Sequence, residues 1–290
     1  APISIQSMTN VNTADKAAAG AQIRRLEEAG CQIVRLAVPD MEAAEALKDL
    51  KKLAKVPLVA DIHFDYRLAL AAIESGVDKI RLNPGNIGGA DRVQAVVKAA
   101  KGTPSANPHR RKLRLGGEAH SGEIRRPDTR GHGESALYHV GLLNDCDFDD
   151  ICISVKCSDV PLTMAAYRLL AERTDYPLHL GVTEAGTPSM GLIKSAMGIG
   201  GLLCLGIGDT LRVTLTADPV EEIFAAKKIL KAAGLRREGV NLVACPTCGR
   251  TRIDLIPMAE EVEQRLSGCE KSITVAVMAA PQRPGDGRRR

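Results

Sequence analysis

The strongest constraint on the fold of this 290-residue chain is a regular alternation of short β-branched runs with longer amphipathic stretches. Runs of the first kind are typical of buried strands, and the longer stretches show the 3.6-residue periodicity of helices. Seven strand candidates occupy residues 3–8, 32–38, 57–62, 79–82, 150–155, 178–183 and 210–215. Several of them follow one another at steps of about 20–30 residues, the length of one βα unit. The pattern therefore predicts an α/β fold built on a parallel sheet.

One step in this pattern is longer than the others. The step from residue 79 to residue 150 covers 71 residues, which is room for two βα units. A further strand at 112–115 would bring the count to eight units, and eight βα units form a (β/α)₈ TIM barrel. We therefore expect a barrel domain over residues 1–234 and a second, smaller domain over residues 235–290.

Polar side chains follow the predicted strands at their carboxyl ends, where barrel enzymes carry their active sites. They include Gln6, Ser7, Arg35, Asp61, His63, Arg81, Asn83, Ser154, Lys156, His179, Glu184 and Arg212. For any single residue, contact with water explains the position equally well, and only the agreement of seven strands indicates a site. Five cations belong to this end of the barrel: Arg35, Arg81, Lys156, Lys194 and Arg212. Because desolvating several positive charges is costly, they predict an anionic ligand such as phosphate or diphosphate.

The formal net charge of +4 arises from two segments. Residues 102–133 carry seven Lys/Arg against three Asp/Glu, and residues 279–290 carry four against one. Both segments are poor in apolar residues, and we interpret them as a solvated loop and a disordered tail. Neither contains Phe, Tyr or Trp on which bases could stack. We therefore expect no nucleic-acid partner, with an RNA-binding arm as the alternative.

The chain shows no basic-then-apolar leader, and its longest run without polar side chains, residues 196–208, is too short to span a bilayer. We therefore expect a cytoplasmic protein with no membrane contact. In that compartment its eight cysteines indicate buried thiols or metal ligands rather than disulfides. Cys245 and Cys248 form a C-x-x-C pair after a predicted strand. On spacing alone, a zinc knuckle, an iron–sulfur cluster and a redox pair are equally open.

Long colinear blocks over residues 3–101 and 134–278 carry specific motifs. They include QSMTN, PLVADIHFDYRLALAAIESGVDKIRLNPGNIG, DICISVKCSDVPLTMAAYRLLAERTDYPLHLGVTEAGT, GIGDTLRVTLTADPVEE and NLVACPTCGRTRIDL. In these blocks the chain resembles the 4-hydroxy-3-methylbut-2-enyl diphosphate synthases of the non-mevalonate isoprenoid pathway. The resemblance implies a barrel followed by a small α+β domain, similar to ferredoxins and sulfite reductases, that carries a [4Fe–4S] cluster.

The same resemblance implies a reaction and its partners. The substrate of the family is 2-C-methyl-D-erythritol 2,4-cyclodiphosphate, and its reductive ring opening takes two electrons from ferredoxin or flavodoxin. Head-to-tail homodimers share each active site between two subunits. By motif, Glu184 is the implied acid/base and acts with Arg212, while Cys245 and Cys248 are implied cluster ligands. The implied substrate contacts are Arg35, Asp61, His63, Asn83, Lys156, Lys194 and Arg250.

The chain departs from the family pattern in two segments. ITVAVM runs into Ala279, Ala280 and PQRPGDGRRR, where the family has a segment that supplies a third cysteine and a glutamate ligand. Residues 102–133 replace the family's fifth strand, and the chain begins at Ala1 without an initiator methionine or the family's leading residues. We interpret both basic segments as out-of-frame translation, and we expect the cluster domain to be truncated and to lack those two ligands.

Three functional hypotheses follow from these observations. The first is an iron–sulfur oxidoreductase by descent, with the activity of this chain in doubt. The second is a non-catalytic barrel that binds an anion through its basic mouth. The third is a zinc-binding module in which Cys245 and Cys248 are joined by ligands from another subunit.

Overall fold

The computed structural model describes residues 2–82, 88–102, 114–116, 129–237, 239–249, 251, 253–266, 268–269 and 271–279. Contacts between residues divide the chain into two compact units, Ala1–Leu235 and Arg236–Arg290. Within the described residues, no helix is both long and apolar enough to cross a membrane.

The first unit alternates strands with helices along the chain. Its strands are β1 (Ser4–Met8), β2 (Ile33–Ala37), β3 (Leu58–Asp61), β4 (Lys79–Arg81), β5 (Arg114–Gly116), β6 (His179–Leu180) and β7 (Thr210–Leu211). Its α-helices are α1 (Lys16–Glu28), α2 (Met41–Leu53), α3 (Tyr66–Glu74), α4 (Ala90–Gly102), α5 (Thr129–Asn144), α6 (Val160–Arg173), α7 (Pro188–Ser195), α8 (Gly201–Cys204) and α9 (Pro219–Ala232). A π-helical turn, Ala196–Gly200, joins α7 to α8.

All seven strands form one parallel sheet in the order β5-β4-β3-β2-β1-β7-β6. Beyond β6, a parallel bridge between Ile153 and Leu178 adds an eighth extended segment. The Ile153 N–H donates to the Pro177 carbonyl at 2.9 Å, and the His179 N–H donates to the Ile153 carbonyl at 2.8 Å. The predicted α/β architecture with a parallel, helix-covered sheet is confirmed. In the described part of the chain, the one step missing from a ring of eight lies between β5 and Ile153.

The segment 102–133 contributes regular structure to this sheet. The strand expected at 112–115 overlaps β5, in which Lys79 stands opposite Arg114 and Arg81 opposite Gly116; residues 112 and 113 lie outside the described residues. Helix α5 begins at Thr129. The interpretation of this segment as a loop is therefore wrong for residues 129–133, because its polar composition conceals the first turn of a helix that becomes apolar only further on.

Five helices of this unit begin at an aspartate that accepts hydrogen bonds from backbone N–H groups of the first turn. These N-caps are Asp15, Asp40, Asp65, Asp159 and Asp218. They follow the strands and so belong to the edge of the sheet formed by strand carboxyl ends. Because these carboxylates already compensate the positive ends of their helices, anion binding at this edge depends on side-chain cations.

The second unit is a βαβ element. Strands β8 (Asn241–Ala244) and β9 (Thr274–Val277) pair in parallel, and α10 (Leu255–Leu266) connects them. Leu255, Val277 and Ala279 form its buried core, and Leu242, Cys245, Ala259 and Val262 pack around them. Cys245 and Cys248 therefore follow β8 directly at its carboxyl end.

Candidate active site

Asp61 is the centre of a buried ion cluster at the carboxyl end of β3. Its carboxylate lies 3.1 Å from Nε of Arg35 and 2.8 Å from Nη1 of Arg81. Strand register explains this meeting, since Asp61 stands opposite Arg81 on β4 and opposite Ala37 on β2. Arg35, two residues before Ala37, faces the same side of the sheet. All three charged side chains are less than a tenth exposed.

His63 extends this cluster towards solvent. Its Nε2 atom lies 3.6 Å from Oδ2 of Asp61 and 3.4 Å from Nη1 of Arg81. Half of its side chain is exposed, in contrast to the buried carboxylate beneath it. His63 therefore lies at the rim of the cluster, where it can meet both the ion pairs and a ligand.

The environment of Asp61 keeps its carboxyl ionised. Burial alone would raise the pKa, but the hydrogen bond with His63 and the charges of Arg35 and Arg81 outweigh it and hold the pKa of Asp61 well below its usual range. The carboxylate thus neutralises part of the positive charge from which an anionic ligand is predicted. One carboxylate shared by two guanidinium groups leaves the cluster cationic.

A second cationic group lies where Lys156 crosses the backbone of Gly181. A β-carbon placed on Gly181 would lie 2.7 Å from Cε of Lys156 and 3.1 Å from the carbonyl oxygen of Arg212. The Lys156 side chain therefore needs a residue without a side chain at this position. Lys156 itself is 8% exposed, so its stem is packed in the protein.

Hydrogen bonds from Tyr167 fix the strand segment that precedes Lys156. The hydroxyl of Tyr167, a fully buried residue, donates to the His179 carbonyl at 2.5 Å and accepts from the Val155 N–H at 3.2 Å. Ser154 also donates to the His179 carbonyl, at 3.0 Å. These contacts continue the connection to β6 beyond the ladder hydrogen bonds of Ile153, so they help to set the height at which Lys156 leaves the sheet.

An interior cavity is lined by Gln6 of β1, Arg35, Arg81, Ser154 and His179, among others. Nδ1 of His179, one of these lining residues, lies 2.7 Å from the Thr210 hydroxyl. The cavity shows that the Asp61 cluster and the segment before Lys156 face the same interior.

The other predicted site residues lie outside the Asp61 cluster. Glu184 is exposed in the loop after β6 and has φ +50°, a left-handed conformation that is rare for a residue other than glycine. Lys194 is half-buried in α7, and Arg212 follows β7. Asn83 and Arg250 lie outside the described residues.

Glu222, on α9, is a site residue that sequence reasoning missed. It is 4% exposed, and its carboxylate lies 3.5 Å from Nε of Arg212. A signal for it exists in the sequence, because Glu222 interrupts the apolar stripe of α9. The other buried members of that stripe include Pro219, Ile223, Ala226, Ile229 and Leu230. A carboxylate on such a stripe predicts a buried cationic partner.

The cysteine pair supplies part of a metal site. Cys245 is half-buried beside the core of the second unit, and Cys248 is exposed. Within the described residues, no group of three or more His, Cys, Asp or Glu side chains is placed to hold a metal ion. Among the described residues, these two thiols do not fit the four protein ligands of a [4Fe–4S] cluster.

Comparison with solved structures supports the barrel. The dihydropteroate synthase of Yersinia pestis matches 81% of this chain and 94% of its own with a TM-score of 0.56 and 15% identity. That of Coxiella burnetii matches 81% of this chain and 95% of its own with a TM-score of 0.58 and 10% identity. At such identities the similarity concerns the fold alone.

Comparison of amino-acid sequences identifies much closer relatives. Proteins of Ruminiclostridium cellulolyticum, Clostridium perfringens and Geobacter sulfurreducens are each 54% identical to this chain over 99% of its length and 82% of their own. Each is named 4-hydroxy-3-methylbut-2-en-1-yl diphosphate synthase (flavodoxin). The family profile of the GcpE TIM-barrel domain matches residues 1–227, which include 102–133, and that of the GcpE C-terminal domain matches residues 241–280. The chain therefore belongs to the GcpE family.

Proposed function

We propose that this chain binds 2-C-methyl-D-erythritol 2,4-cyclodiphosphate in its barrel and acts in the reductive opening of that ring to 4-hydroxy-3-methylbut-2-enyl diphosphate. Its 54% identity to proteins named for the synthesis of this product supports the reaction. The observation that carries the binding step is the set of cations at one edge of the sheet. These cations are Arg35, Arg81, Lys156 and Arg212, against the carboxylates of Asp61 and Glu222.

We assign different tasks to these cations. Arg35 and Arg81 are held by Asp61, so they present a rigid pair of guanidinium groups to one phosphate. Lys156 and Arg212, both next to Gly181, would meet the other phosphate. Buried cations bind a diphosphate strongly because the anion supplies the charge compensation that water no longer provides. Asn83, Lys194 and Arg250 are assigned to the substrate by the family motif alone.

Two exposed residues are candidates for proton transfer. His63 lies at the rim of the Asp61 cluster, and Glu184 lies in the loop after β6. The left-handed backbone of Glu184 is a strained conformation, and such strain persists where the surrounding structure requires a side chain to point in one direction. We assign Glu184 as the acid/base and His63 as a hydrogen-bonding contact.

The reaction needs two electrons, and a flavodoxin is the donor in the names of the relatives. We assign a flavodoxin or ferredoxin as the partner of this chain, and a homodimer as its assembly. In the family, a [4Fe–4S] cluster would deliver the electrons, with Cys245 and Cys248 as two of its ligands. Cys245 and Cys248 are the two ligands that we assign from the 290-residue sequence.

Calorimetric titration of the cyclodiphosphate into the 290-residue chain tests the proposal. We expect binding that weakens at least tenfold in Lys156→Ala, about 1.4 kcal/mol. The control is Lys48→Ala, which removes an exposed lysine of α2 and should leave binding unchanged. Binding without turnover by a reduced flavodoxin would support the alternative of an anion-binding barrel, and no binding would contradict the proposal.

A further inference from the structure

We propose that Glu222 is a positioning residue that holds Arg212 in place for the diphosphate. This inference rests on the proposed role of Arg212 as a substrate contact. Glu222 belongs to the outer helix α9, yet its side chain is 4% exposed and reaches the end of the strand layer.

The Glu222 carboxylate joins three parts of the barrel. Its Oε1 atom accepts a hydrogen bond from the Leu215 N–H at 3.1 Å, in the segment after β7. Its Oε2 atom lies 3.5 Å from Nε of Arg212 and 3.3 Å from the Ser7 hydroxyl of β1, whose single hydrogen is shared with the Pro219 carbonyl at the same distance. The Leu215 hydrogen bond and the shared Ser7 hydrogen orient the carboxylate, so it presents its negative charge to the guanidinium.

The ion pair with Glu222 restrains Arg212 but does not use all of its hydrogen-bond donors. At 3.5 Å the contact is an ion pair, and Nε of Arg212 has no hydrogen-bond partner among the described residues. On the other side, Nη1 lies 3.5 Å from Sδ of Met8. Glu222 and the thioether of Met8 thus bracket the guanidinium, and the fork keeps N–H donors for phosphate oxygens.

A positioning role and a purely electrostatic role of Glu222 predict opposite effects of Glu222→Gln on anion binding. Glu222→Gln keeps an acceptor for the Leu215 N–H and removes the negative charge. The loss of that charge alone would strengthen the binding of an anion. The loss of positioning would weaken it, because Arg212 must then give up alternative orientations when the anion binds.

A double-mutant cycle isolates the interaction with Arg212. We expect Glu222→Gln to weaken cyclodiphosphate binding about tenfold in the wild-type background and to have little effect in Arg212→Ala. Glu221→Gln, its exposed neighbour on α9, is the matched control and should leave binding unchanged in both backgrounds. Equal losses in both backgrounds would show that Glu222 only supports the fold, and tighter binding would show an electrostatic effect alone; either result overturns the inference.

A second measurement needs no change at Glu222. In a ¹⁵N-arginine spectrum of the ligand-free wild type, we expect the Arg212 Nε–H, assigned by its loss in Arg212→Lys, to exchange slowly with water. Rapid exchange would overturn the inference even if Glu222→Gln does not fold. Failure of the wild type to bind the cyclodiphosphate would instead overturn the proposed function and this role with it.

Discussion

Oδ1 of Asp61 and Nη1 of Arg81 lie 2.8 Å apart at the ends of adjacent parallel strands, and both side chains are buried. The register places them opposite one another, so the pair forms wherever these two strands form. A buried pair of this kind contributes to orientation more than to stability, because desolvation offsets most of the attraction. Replacing one member of the pair, however, leaves the charge of the other member uncompensated.

We expect Asp61→Asn to destabilise the protein by about 3–5 kcal/mol, because two buried guanidinium groups then lose their carboxylate. Urea unfolding at pH 7 measures the change. Asp49→Asn is the control, since Asp49 forms exposed ion pairs with Lys16 and Lys52 and should matter little. A stability equal to that of the wild type would contradict the structural role of Asp61.

The stability difference between the wild type and Asp61→Asn should depend on pH. The pKa of Asp61 is lower in the folded protein than in the unfolded chain, where it is about 3.9. Between those two values the unfolded chain binds more protons, so the contribution of Asp61 is complete above the unfolded value and is lost as the pH falls. The stability difference between wild type and Asp61→Asn should therefore shrink from pH 6 to about pH 3. A difference that stays constant over this range would exclude ionisation of Asp61 as its source.

We expect Tyr167→Phe to cost about 1–3 kcal/mol, because the buried Val155 N–H loses its acceptor. The substitution should also weaken binding of the cyclodiphosphate, since Lys156 follows Val155 directly. Tyr138→Phe is the matched control, because Tyr138 is 66% exposed. Thermal unfolding and calorimetric titration of both variants provide the measurements, and equal behaviour of the two would refute the prediction.

Gly181→Ala should separate binding from folding. The new β-carbon would lie 2.7 Å from Cε of Lys156 and 3.1 Å from the backbone carbonyl oxygen of Arg212, so the buried lysine stem must shift. We expect a folded variant of lower stability that loses at least tenfold in affinity for the cyclodiphosphate. Gly141→Ala, in α5, meets no atom within 4 Å and should raise stability by about 0.5–1 kcal/mol without affecting binding. Unchanged affinity in Gly181→Ala would argue against Lys156 as a substrate contact.

The cysteine pair predicts a low metal content. After anaerobic reconstitution with iron and sulfide, followed by desalting, we expect far less than the four irons of a complete cluster, because only Cys245 and Cys248 occupy family positions. We also expect no dithionite-driven ring opening above the control without protein. Four irons per chain, lost in Cys245→Ser, would show that the chain has replacement ligands. Stoichiometric zinc would support the zinc-module hypothesis.

Much of the fold was predictable because it depends on local pattern. The strand predicted at 57–62 is β3, Leu58–Asp61, since a β-branched run between a helix end and a polar turn has few alternatives. The start of α5 at Thr129 was not predictable in the same way. Its first turn contains Gly and Arg and no apolar stripe, so its helical state depends on tertiary context.

The sequence predicts which candidate site residues stand at strand ends, but it does not predict how those residues pair. Arg35, Asp61 and Arg81 stand at strand ends in the sequence, and that position suffices to expect them at one edge of a barrel. Which of them pair depends on the register between strands, and a period of two along each strand does not determine that register. Glu222 was missed for a further reason, since its partner Arg212 lies on a different element and sequence patterns describe one element at a time.

The pairing of β1 with β7 has a consequence for the synthesis of the protein. Ser4 is registered with Thr210, so β1 finds its second neighbour only after some 200 further residues have been translated. At about 5–20 residues per second this takes roughly 10–40 s. During that interval one side of β1 has unpaired backbone groups, a template for association with other nascent chains. Until translation reaches β7, this side of β1 is thus a site at which nascent chains can associate, and chaperones that bind extended segments would protect it.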